Sequence, residues 1–255
     1  MPQFNSTDTS NAKFYGKRVF TTTAIVDAAP FLWEKHWRRL TANAAKLDID
    51  ISEYLESEIL EALALEIEKE NLAAGRARIT FSDESPSEIW GGRGERETSL
   101  SIITAASREI PKDFKLTISH HRVNTTSPLA GIKSCNYLEH LLAQDEAKRR
   151  GFHEAIRLNE RGEVVSACMA NVFWLSDGKL FTPSLRTGCL EGTTREFVLE
   201  NLDCEEVEAG IEELDRPDAI FLTSAGIGVV AVAEFEKRAI NKIDHPIKSL
   251  IPRKN

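Results

Sequence analysis

Apolar residues recur along this chain with two different periods, and each change of period marks an element. Residues 19–26 are β-branched and threonine-rich, the composition of a strand. From 31 to 47 the spacing lengthens: Trp33, Trp37, Leu40, Ala44 and Leu47 share one helical face. Ser52 is placed to cap a second helix reaching about residue 72, with Leu55, Ile59, Leu63 and Ile67 on its apolar side. Strands are predicted at 77–82, 98–104 and 115–120, the last with clear alternation. Residues 1–12 are rich in Ser, Thr and Asn and read as a loosely held arm.

Val123 to Pro128 reads as the connection between two halves. Beyond it the pattern predicts a helix over 136–150 closed by Gly151. Strands follow at 153–158, 163–168, 170–175 and 179–182, with turns at Asn159-Glu160-Arg161-Gly162 and Ser176-Asp177-Gly178. A helix over 193–202, strands at 219–223 and 229–234, and a short helix complete the chain. The expected class is α+β, with an N-terminal α/β domain at 1–122 and a strand-rich domain at 123–255.

Composition narrows the partners. The 255 residues carry a net charge of −8, and no basic run exceeds a triplet. Nucleic acid and membrane surfaces are therefore not expected partners, whereas a small anion can still meet a local basic pocket. Cys135, Cys168, Cys189 and Cys204 are widely spaced and lack metal-ligand spacing, so no metal site is expected. The N-terminal stretch has no apolar signal-peptide core, and no run approaches a membrane span. A cytoplasmic protein with reduced thiols is the expectation.

Three segments carry candidate chemistry. Lys133 lies in Pro128-Leu129-Ala130-Gly131-Ile132-Lys133-Ser134-Cys135-Asn136, apolar before the lysine and helical after it. Partial desolvation lowers an ammonium pKa, and a neutral amine can condense with an aldehyde. Taken alone, the residue also suits a solvated surface lysine. Leu190-Glu191-Gly192-Thr193-Thr194-Arg195 opens a helix, where backbone N–H groups and two hydroxyls suit a phosphate; a plain helix cap suits the same residues. Arg39, beside Leu40 on the tryptophan-anchored helix, suits a bidentate phosphate contact or a snorkelling surface position. A glycine-rich loop, Gly91-Gly92-Arg93-Gly94, reads as a wall over a cleft or a hairpin tip.

Taken together, these segments resemble the class IV, fold-type IV, pyridoxal-phosphate (PLP) aminotransferases. Tyr15-Gly16-Lys17-Arg18-Val19-Phe20-Thr21-Thr22, His36-Trp37-Arg38-Arg39-Leu40, Gly131-Ile132-Lys133-Ser134-Cys135-Asn136, Ala170-Asn171-Val172-Phe173, Phe181-Thr182-Pro183, Leu190 to Arg195 and Asp218 to Thr223 stand in family order. Within the family, Phe20-Thr21-Thr22, the Gly91 to Gly94 loop, Leu129 to Lys133 and Ala170 to Trp174 look most like the aminodeoxychorismate lyase branch, while the spacing from Lys133 to Asn136 fits the lyase and D-amino-acid branches alike.

The resemblance implies a two-domain fold like that of D-amino-acid aminotransferase, with a smaller α/β domain and a barrel-like C-terminal domain. It implies PLP as cofactor, a small amino substrate and a homodimer. Lys133 would form the Schiff base. Arg39, Thr193 and Thr194 would hold the phosphate, with Gly192, Asn171, Ser224 and Ala225 also on the cofactor side. Tyr15 and Arg93 would face the substrate, with Arg96 and Arg122 as further candidates. The implied activity is lyase chemistry; transamination of D- or branched-chain amino acids, or a catalytically silent PLP-binding role, are the alternatives.

Two departures stand out. The family's glutamate at the pyridine nitrogen falls on Ser166, which cannot hold a ring proton by charge. A weaker electron sink favours elimination over transamination. Gly16-Lys17-Arg18 stands where the family carries Gly-Asp-Gly.

Overall fold

The computed structural model describes residues 10–87 and 95–252. By packing, the chain forms two compact units, Met1–Ala106 with Ile132–Asn136, and Ser107–Gly131 with Tyr137–Asn255. The expected boundary assigned Lys133 to the second half. By contacts, its segment sits with the first unit because Val19 bridges Ser134.

The first unit contains α1 (Asn11–Tyr15), β1 (Arg18–Val26), β2 (Ala29–Pro30), α2 (Trp33–Lys46), α3 (Glu56–Lys69), β3 (Ala74–Asp83) and β4 (Thr98–Ala106). The strands form one antiparallel sheet in the order β2-β1-β3-β4. Strand parity decides its faces. Val19 and Ile25 of β1 and Ala77, Ile79 and Phe81 of β3 are buried with Leu40 and Ala44 of α2 and Ile59, Leu63 and Ile67 of α3. The intervening β3 residues, Arg76, Arg78 and Thr80, keep partial exposure.

Two expectations in this unit are corrected. Ser52 does not cap the second helix. Its N–H donates to Asp50 Oδ1 in a local turn, and α3 begins only at Glu56. The polar arm ends earlier than expected, because Ser10 accepts from Lys13 N and starts α1; Gly16 closes that helix at φ +63. The Gly91 to Gly94 loop lies outside the described residues.

The second unit contains β5 (Lys115–Ile118), α4 (Leu138–Arg149), β6 (Glu154–Leu158), β7 (Val164–Ala167), β8 (Asn171–Ser176), β9 (Lys179–Pro183), α5 (Thr193–Asn201), β10 (Cys204–Val207), β11 (Ala219–Ser224), β12 (Gly228–Ala231), β13 (Glu234–Phe235), β14 (Arg238–Ala239) and α6 (Ile247–Leu250). Two five-stranded sheets result, β10-β9-β8-β11-β12 and β14-β13-β5-β6-β7. They enclose one core that includes Leu116, Ile156, Val164, Val172, Trp174 and Leu222, the barrel-like arrangement expected.

Strand β8 is buried on both faces. Val172 and Trp174 enter that shared core, while Phe173 and Leu175 pack with Val198 of α5 and Ile247 of α6. This is why Asn171-Val172-Phe173-Trp174-Leu175 reads as a continuous apolar run rather than an alternation. Gly151, at φ +84, closes α4 as its sequence position implies: its N–H bonds Lys148 O, and Phe152 N bonds Ala147 O. Strand β10 was not anticipated. Its Cys-Glu-Glu-Val sequence is acidic and mostly solvent-facing, and parallel pairing with β9 forms it.

Candidate active site

Strand β1 organises the chemistry of the first unit. Its edge receives residues 133–135: Phe20 N donates to Lys133 O at 3.0 Å, and Cys135 N donates to Arg18 O at 2.9 Å. Lys133 Nζ lies 4.6 Å from the Phe20 ring centroid, and the Arg78 guanidinium lies 3.7 Å from the same ring. Arg78 Nη2 also donates to Cys135 Sγ at 3.3 Å. Lys133 keeps some exposure as a residue, but burial around its amine pushes the pKa well below the ordinary lysine value, with the charges of Arg39 and Arg78 adding to the effect.

One residue along β1, Thr21 reaches α2. Arg39 Nη2 donates to Thr21 Oγ1 at 2.9 Å, and the same oxygen lies 2.7 Å from His36 Nδ1. His36 is buried, and burial, then Arg39 and Lys133, hold its pKa well below the ordinary histidine value. The imidazole is therefore neutral at physiological pH. Thus Lys133 and Arg39 are brought together with Arg78 and His36, neither of which was singled out from the sequence. Strand parity was the available signal for Arg78, a charge in mid-strand on the face opposite Ile79.

In the second unit, Asn171, Gly192, Thr193 and Thr194 form a cradle. Asn171 Nδ2 donates to Leu190 O at 2.9 Å. Gly192 is the N-cap of α5, with no side-chain capping bond, so neither threonine serves as the cap. Both threonines are buried in the first turn. A Cβ on Gly192 would lie 1.9 Å from Asn171 Oδ1, so only glycine fits there. Thr223, paired with Asn171 across the sheet, buries Oγ1 with no hydrogen-bond partner. Ser224 and Ala225 follow it, half-buried.

Ser166 is buried on β7, and its cross-strand partner is Arg157. That arginine is itself buried. It donates to Arg122 O at 3.0 Å, His121 O at 3.2 Å and Glu139 Oε2 at 3.1 Å. Glu154, also buried, accepts from Cys168 N and Met169 N, both at 3.0 Å, and so holds the turn into β8. Burial raises its pKa to about 7.

The remaining candidates sit less centrally. Tyr15 is exposed on α1 with its ring against Phe14. Arg96 pairs with Asp48 at 3.1 Å on the surface. Arg122 is exposed, and Arg93 lies outside the described residues. Among the described residues no acidic, His or Cys cluster could hold a metal ion, and no helix is long and apolar enough to cross a membrane.

Residues 18–235 match the model of the family described as Amino-transferase class IV. The chain belongs to that family. Class IV proteins are PLP-dependent enzymes, and this chain is one of that kind. It is 27% identical over 232 residues to an aminodeoxychorismate lyase of Bacillus subtilis, covering 88% of this chain and 79% of that one. It is 26% identical over 235 residues to a D-alanine aminotransferase of Listeria monocytogenes, covering 87% and 79%. A crystal structure described as a putative 4-amino-4-deoxychorismate lyase from Legionella pneumophila superposes with a TM-score of 0.84 at 27% identity, covering 98% of this chain and 93% of that one.

The residues present fit PLP, which carries an aldehyde, a phosphate and a pyridine ring. Within the first unit alone, the depressed-pKa amine of Lys133 suits the aldehyde, and Arg39, bonded to Thr21, suits the phosphate. Taken by itself, the second unit offers an anion a helix start without a side-chain cap, a glycine where no Cβ fits, and the unpartnered Thr223 hydroxyl. A helix start presents N–H groups and partial positive charge to an anion.

Proposed function

We propose that this class IV enzyme is a PLP-dependent lyase that converts 4-amino-4-deoxychorismate to 4-aminobenzoate and pyruvate. The observation that carries the reading is the pair Ser166–Arg157. The position of the family's ring-nitrogen acid holds a hydroxyl, and the strand beside it carries a buried guanidinium. That environment disfavours a proton on a pyridine nitrogen and weakens the ring as an electron sink. Elimination tolerates a weaker sink, because the electrons leave with the departing group. The likeness to lyases of Bacillus and Legionella supports the same reading.

When bound, PLP supplies an aldehyde for the substrate amine and a conjugated ring that takes up electrons. The chain's own residues do the rest. Lys133 would hold the aldehyde, and its amine, kept neutral by burial, would take the proton from the substrate's Cα. General-base transfer of this kind is worth about 10²–10⁴-fold. In the first unit Arg39 would pair with a phosphate charge; in the second, Thr193 and Thr194 at the start of α5 suit phosphate oxygens. Arg78, on the same ring as Lys133, is the guanidinium offered to a substrate carboxylate. The reading also makes the enzyme a homodimer, and exposed Leu138, Leu141 and Leu142 of α4 supply an apolar face for a second copy.

The comparable identity of the D-alanine aminotransferase favours a second reading, transamination. Purified enzyme given PLP and 4-amino-4-deoxychorismate should release pyruvate with no keto acid added. Turnover that appears only with a keto-acid acceptor would establish transamination instead.

A further inference from the structure

We propose that Thr21, held by His36, is a positioning residue that fixes Arg39 in the orientation in which it takes the cofactor's phosphate; this deepens the reading above and rests on it. The argument is one of donors and acceptors. Arg39 Nη2 lies 2.9 Å from Thr21 Oγ1. A guanidinium only donates, so the hydroxyl oxygen accepts. The hydroxyl has one proton of its own, and His36 Nδ1 stands 2.7 Å away. One proton joins that pair, from the hydroxyl or from Nδ1, and in either tautomer the oxygen keeps a lone pair for Arg39. The two contacts share one oxygen, so the imidazole holds the hydroxyl in the place where it meets Arg39.

The backbone ties this relay to the lysine. Thr21 is in register with Ile79 of β3, which pins β1 inside the sheet. Its neighbour Phe20 holds Lys133 by an N–H to the Lys133 carbonyl. One strand therefore sets the place of both the amine and the anchoring arginine. An arginine fixed before the anion arrives loses less freedom on binding, which raises affinity without adding a contact.

The test uses full-length protein stripped of cofactor and titrated with PLP, followed by quenching of protein fluorescence. Pyridoxal, which lacks the phosphate, is the second probe. Thr21→Val should weaken PLP binding about tenfold, the worth of one hydrogen bond to a charged group, and leave pyridoxal binding unchanged. Thr21→Ser should restore PLP affinity, and His36→Phe should weaken PLP but not pyridoxal. In an Arg39→Ala background, Thr21→Val should add nothing. Thr21→Ala replaces the valine variant if that one does not fold. Equal losses for PLP and pyridoxal, an undiminished Thr21 effect without Arg39, or failure of the serine to rescue would each overturn the proposal. If Arg39→Ala weakens PLP while Thr21→Val does not, the relay alone falls. If Arg39→Ala binds PLP as tightly as the natural chain, the anchor reading falls with it.

Discussion

Substituting Gly192 by alanine should damage stability and cofactor binding together, for a reason of space alone. The backbone there has φ −73, which any residue adopts. The added Cβ would sit 1.9 Å from Asn171 Oδ1, 3.0 Å from its Cγ and 3.4 Å from Arg195 Cβ. Asn171 cannot simply turn aside, because it is buried and its Nδ2 is bonded to Leu190 O at 2.9 Å. Overpacking of this kind costs about 1–3 kcal/mol, and at about 2–4 °C per kcal/mol the melting temperature should fall by roughly 2–12 °C. PLP affinity should fall in the same variant, since the displaced amide pushes on the start of α5. The check is a thermal melt and a PLP titration of Gly192→Ala, Asn171→Ala and the double variant. Removing the asparagine removes the clash, so the double variant should be more stable than the sum of single effects, by about 0.5–3 kcal/mol. Gly192→Ala melting and binding like the natural chain, or strict additivity in the double variant, would refute the reasoning.

Glu154 should make stability fall as pH rises. Its folded pKa, about 7, lies above the ordinary 4.5, so the protonated form is the one the fold favours. Its contribution is complete below pH 4.5 and is lost as pH passes about 7, with a slope of up to about 1.4 kcal/mol per pH unit. Urea denaturation across this range should show the slope in the natural chain and a flatter profile in Glu154→Gln; equal slopes would rule the carboxyl out. Ser166→Glu should raise acceptor-dependent transamination on the order of tenfold, because a carboxylate there would stabilise a proton on the ring nitrogen, and the buried Arg157 opposite lets the carboxylate stay charged. A fall in transaminase rate would contradict the role given to Ser166.

Much of the fold was legible because burial imposes a period. The helical spacing of Trp33 to Leu47 reappears as α2, and the apolar run at Asn171 to Leu175 reappears as a strand covered on both faces. Helix starts were less legible, since Ser52 carries a capping side chain but Asp50 engages its N–H first. Short edge strands such as β10 escaped because their residues mostly face solvent. At the site, Lys133, Arg39 and Asn171 stood in motifs whose order carried the signal. Arg78, His36 and Arg157 did not stand out, because their significance lies in cross-strand register and in a neighbouring helix, which one-dimensional spacing does not report.

The central claim is that one amine, Lys133, holds the cofactor. Protein reconstituted with PLP, reduced with borohydride and digested should carry a pyridoxyl mass on the peptide containing Lys133 and on no other, and Lys133→Ala should lack both the label and turnover. A label on a different lysine, or full activity in Lys133→Ala, would contradict the account.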